Sequence, residues 1–145
     1  MRSGLLAIHI GFGVLGLVAG PVALAVGATR RSTAGMAYHA CVAVVTLTAL
    51  LLLALDPGRL WWLLPVAVAT QAAAVLAVRV LRRRGPRWST YYPHLIGGSY
   101  VALVTGLLIG TWGDPVAWVL PAVLAQPLIH VAKGRLRDGA GTAVP

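Results

Sequence analysis

The chain is 145 residues long, 59% hydrophobic, with a mean hydropathy of +0.84 and a formal net charge of +9. Asp56, Asp114 and Asp138 are its only acids, and glutamate is absent. So much apolar sequence leaves too little polar sequence for a soluble domain. The basic residues sit in short segments beside apolar runs, which argues against nucleic acid as a partner and for contact with membrane lipid.

Five apolar runs follow one another, and each approaches the ~20 residues an α-helix needs to cross the ~30 Å hydrocarbon layer. Leu5–Gly27 opens the chain, and its length together with Arg30 and Arg31 marks it as a membrane helix rather than a cleaved leader. It carries His9, and Gly16 and Gly20 at a spacing that lets helix backbones approach closely. Met36–Leu55 holds His39 and the lone Cys41, which has no partner for an intramolecular disulfide and reads as a small buried apolar side chain. Asp56-Pro57-Gly58-Arg59 is turn chemistry and predicts a tight hairpin into Leu60–Val80. Leu81–Pro93 reads as a basic, aromatic loop on the membrane surface. Leu95–Trp112 follows, opened by His94 and carrying Tyr100, with Gly106 and Gly110 at helix-packing spacing. After the turn Gly113-Asp114-Pro115 comes Pro115–Val131, in which Pro121 and Pro127 predict kinks. The tail from 138 to 145 is rich in Gly and Ala and is expected to be flexible. The expected fold is all-α: one integral membrane five-helix bundle over residues 1–137.

Ten of the twelve basic residues fall on one side of a five-span path, and only Arg2 and Arg59 on the other. The positive-inside rule then puts the N-terminus outside and the C-terminus in the cytoplasm of a bacterial inner membrane. Trp61, Trp62, Trp112 and Trp118 mark the outer interface, and Trp88, Tyr91 and Tyr92 the inner one.

No acid lies within a span, which removes the carboxylate that a proton relay or a di-iron site would need in the membrane. Four histidines remain. At ~1.5 Å rise per residue, His39, His94 and His130 fall at one level near the cytoplasmic side, on three helices. Gln126 shares a helix face with His130, and Tyr100 lies in the same half of its span. The spacing therefore predicts a polar site of His39, His94 and His130, with Tyr100 and Gln126 orienting them. Imidazole suits haem iron, copper, iron or zinc, and it equally suits interfacial bonding to carbonyls, lipid phosphates or water.

His94-Leu-Ile-Gly-Gly-Ser-Tyr100 with the following Leu120-Pro121 and Pro127-Leu128-Ile129 resembles a family of small bacterial multi-pass membrane proteins of unknown function. Ile8-His9-Ile10 with Gly20-Pro21-Val22 resembles the family's opening histidine and Gly-Pro pair. The basic loop of that family carries a His-Arg pair which is lacking here, so the resemblance singles out His9 and His94 rather than His39. It implies no activity. Three readings stay open: a redox or metal/haem-associated protein, including an enzyme on a lipophilic substrate such as a quinone; a non-catalytic accessory or assembly subunit of a larger membrane complex; and a small oligomeric transporter.

Overall fold

The computed structural model describes residues 2–25, 33–83, 85, 87–112 and 116–141. Its elements are α1 (Arg2–Ala25), α2 (Thr33–Leu55), α3 (Pro57–Leu60), α4 (Leu63–Arg83), α5 (Trp88–Trp112) and α6 (Val116–Gly141). Among the described residues the fold is all-helical, and α1, α2, α4 and α5 are long and apolar enough to cross a bilayer. In hydrocarbon a helix satisfies its own backbone polar groups, which is why apolar runs of this length take that form.

The helices α1, α2, α4 and α5 close into a ring: α1 packs on α2, α2 on α4, α4 on α5, and α5 back on α1. The helix α6 lies outside the ring, packed chiefly against α5. Neighbours run antiparallel. Along α1 the partners Arg2, His9, Gly16 and Gly20 meet Asp56, Thr48, Cys41 and Tyr38 in turn, a steady descent of α2.

Much of what lies inside the ring is small or hydroxylated, with Gly16, Gly20, Ala23, Thr48, Ala67, Thr70, Ala74, Ala77 and Ser99 buried beside Leu52 and Leu103. What lies outside is large and apolar, with Leu15 56%, Val18 65%, Leu47 60% and Val68 56% exposed. Water would expel such a surface, whereas lipid is as apolar as leucine and leaves close packing of small residues to bring helices together. One aromatic cluster breaks the pattern at the end where α4 and α5 meet. Tyr38, Val42, Tyr92 and Ile96 pack there with Ala23, Ala74 and Ala77.

Several elements differ from the sequence expectation. Asp56-Pro57-Gly58-Arg59 does not form a bare turn; residues 57–60 make one helical turn, with the Leu60 amide donating to the Asp56 carbonyl. Proline at the first helical position presets φ for this. The surface loop expected over 81–93 shrinks, because α4 runs on to Arg83 and α5 begins at Trp88. The amides of Thr90 and Tyr91 donate to the Arg87 carbonyl and start α5 early, so Pro93 falls inside the helix, buried. Tyr92, expected at the interface, is in the core at 2% exposure. The final helix extends to Gly141, into the segment expected to be flexible, while Gly113-Asp114-Pro115 lies outside the described residues.

Candidate functional site

Polar side chains on α1, α2 and α5 form two interhelical junctions. The first is built around Pro21. A helical residue at that position would give its amide to the carbonyl four residues back, at Leu17, and proline has none to give. The Tyr100 hydroxyl, from α5, donates to that Leu17 carbonyl at 3.3 Å. Gly20 makes the approach possible, because a Cβ there would overlap the Tyr100 ring and come within 3.3 Å of Tyr38. Beside it, the Tyr38 hydroxyl of α2 shares a hydrogen bond of 3.0 Å with Ser99 Oγ of α5, both residues being fully buried. Three helices are thus joined by two phenols, one hydroxyl and one orphaned carbonyl.

The second junction joins α1 to α2. His9 Nδ1 lies 2.9 Å from Thr48 Oγ1. The Thr48 hydroxyl also reaches the carbonyls of Val44 (2.8 Å) and Val45 (3.0 Å). Which of the two groups donates in the His9–Thr48 bond is set by the imidazole tautomer. Past this junction, at the end of α1, Arg2 pairs with Asp56 at 3.3 Å.

The expected histidine site is not assembled in this way. His94 and His130 are both exposed, and His39 is half-buried with its ring edge-on to Tyr38 at 5.7 Å. His130 rides on α6, which packs against α5 and not to a comparable extent against α2, the helix of His39. Gln126 is exposed, and Tyr100 bonds to α1 rather than to a histidine. Among the described residues no three His, Cys, Asp or Glu side chains gather where they could hold a metal ion.

The packing glycines divide. A Cβ on Gly16 would meet Leu103 at 3.1 Å and Cys41 at 3.4 Å, and Gly20 is the tight contact already described. A Cβ on Gly106 or Gly110 would meet nothing from another element within 4 Å, and the close approach on α5 is instead at Gly97, where a Cβ would come 2.7 Å from Ile129 of α6. Sequence reasoning passed over Tyr38, Thr48 and Ser99. For Tyr100 a usable signal existed: Pro21 implies an orphaned carbonyl at Leu17, and the adjacent Gly20 implies something large arriving beside it.

Gln71, near the middle of α4, has a buried amide oxygen without a hydrogen-bond partner among the described residues. Thr70, beside it, is satisfied locally by donating to the Val66 carbonyl at 2.7 Å. Comparison with protein-family models, with curated proteins and with solved structures returned no match.

Proposed function

We propose that this chain is a non-catalytic, multi-pass accessory or assembly subunit of a bacterial inner-membrane complex, with five membrane-crossing helices, the N-terminus outside and the C-terminus in the cytoplasm. The observation that carries this reading is what the intramembrane polar groups do. Tyr38, Ser99, Tyr100, His9 and Thr48 are all engaged in holding helices to one another. Groups committed to interhelical bonds are structural glue. The charge split of ten basic residues to two supports the orientation. The peripheral placement of α6, with Val116, Val119, Val123, Leu124, Leu128 and Val131 exposed, supports a body that completes its environment with lipid or with other subunits.

The test uses the full chain purified in mild detergent. Metal analysis and a visible spectrum should show neither stoichiometric metal nor haem, and native electrophoresis of solubilised membranes should place the chain in an assembly above its 15.1 kDa mass. A stoichiometric metal or a haem band overturns the reading in favour of a redox protein. Migration as a lone monomer overturns the accessory role.

A further inference from the structure

Where α4 ends and α5 begins, a groove of about 590 Å3 is lined by Leu76, Arg79, Val80, Arg83, Arg87, Trp88 and Tyr91, together with Gly85. Its composition changes along its length. Arg79 and Arg83 are one turn apart on α4, and Arg87 faces the same groove from the start of α5. All three arginines are exposed, and among the described residues none is paired with a carboxylate. Leu76 and Val80 continue the groove towards the middle of α4, Leu76 lying ~10 Å deeper than Arg83 at the helical rise. Trp88 and Tyr91 stand at the boundary, held by the Trp88 amide on the Gly85 carbonyl and the Tyr91 amide on the Arg87 carbonyl.

We infer that this groove is a binding site for an anionic glycerophospholipid. Guanidinium groups present paired donors that match phosphate oxygens, and three of them line this one groove, none paired with a carboxylate among the described residues. Amphipathic rings favour the depth of the glycerol esters, and the leucine and valine below offer an acyl chain an apolar wall. Basic pockets between membrane helices, on the side carrying the positive loops, take lipid head groups by this chemistry. A free phosphate would satisfy the arginines alone and leave Leu76 and Val80 unused, so the combined lining favours the lipid. The inference does not depend on the accessory-subunit reading above, because it concerns only the local lining of the groove.

The experiment is native mass spectrometry of the full chain in detergent, titrated with phosphatidylglycerol or with phosphatidylcholine. One phosphatidylglycerol should be retained, in preference to phosphatidylcholine. The variant Arg79→Gln/Arg83→Gln/Arg87→Gln should bind it about 100-fold more weakly, at roughly five-fold per arginine. A control, Arg82→Gln/Lys133→Gln/Arg135→Gln, removes equal charge away from the groove and should retain the lipid. Equal losses in the two variants mean diffuse attraction and overturn the site. Displacement of the lipid by millimolar inorganic phosphate shows that the acyl wall contributes nothing and overturns it as well. Melting without lipid reports folding, and if the groove variant melts early, Arg83→Gln replaces it, with a five-fold loss expected and none overturning the proposal.

Discussion

At the scale of single residues, Pro21 and Tyr100 make a quantitative pair. Tyr100→Phe removes the donor to the Leu17 carbonyl and should cost about 0.6–1.7 kcal/mol, the range of interhelical hydrogen bonds in membranes. Pro21→Ala gives α1 its own donor to that carbonyl. In the Pro21→Ala background, therefore, Tyr100→Phe should cost close to nothing. A double-mutant cycle read by melting in detergent checks this, and additive effects would mean that the tyrosine hydroxyl is idle. Gly20→Ala should be harsher, about 1–3 kcal/mol from overpacking, and Tyr100→Leu should relieve part of it by removing the ring that the new methyl meets. These residues show the limits of reading the sequence. A proline announces which carbonyl it orphans, since that is fixed by helix geometry. It does not announce which helix will answer, because that depends on a ring closure between segments about eighty residues apart.

At the scale of elements, the same small-residue spacing occurs twice and acts once. Gly16 and Gly20 face Leu103, Cys41, Tyr38 and Tyr100, whereas Gly106 and Gly110 face open space. Gly16→Leu should lower the melting temperature clearly, by about 1–3 kcal/mol of overpacking. Gly106→Leu should leave it unchanged or raise it slightly, since glycine in a helix interior costs roughly 1 kcal/mol relative to a good helix former. Equal destabilisation by both would place a partner on that face of α5. The apolar runs were legible because hydrophobic length is a local property. Their ends were less so: the basic and aromatic residues of 81–93 resemble a loop in composition, yet most of them continue α4 or begin α5. The shared histidine level was an inference about depth along separate helices, and depth says nothing about which helices touch. His39 and His130 sit on α2 and α6, and α5 takes the main contact with α6.

At the scale of the whole molecule, the ring predicts a division of labour among helices. The helix α6 adds to α5 through contacts such as Ile129 on Gly97, but it is no part of the closed circuit α1–α2–α4–α5. A chain ending before Val116 should still insert and show a cooperative melt, measured by circular dichroism in detergent. Loss of all cooperative melting would make α6 integral to the core. A reporter fused after Pro145 should be active only as a cytoplasmic reporter, given the ten-to-two charge split, and an external signal would mean that one of the five runs does not cross.

The bond from Tyr100 to Leu17 spans 83 residues of sequence, and that separation has a meaning in time. A ribosome adds roughly 5–20 residues per second, so Tyr100 is synthesised roughly 4–17 s after Leu17. Throughout that interval the nascent α1 holds a backbone acceptor without its α5 donor. Until α5 emerges, water or a local tightening of the helix can answer that carbonyl, so the missing bond costs α1 no more than the modest energy of one interhelical hydrogen bond. The bond therefore forms late, and its presence reports that α5 has closed the circuit onto α1.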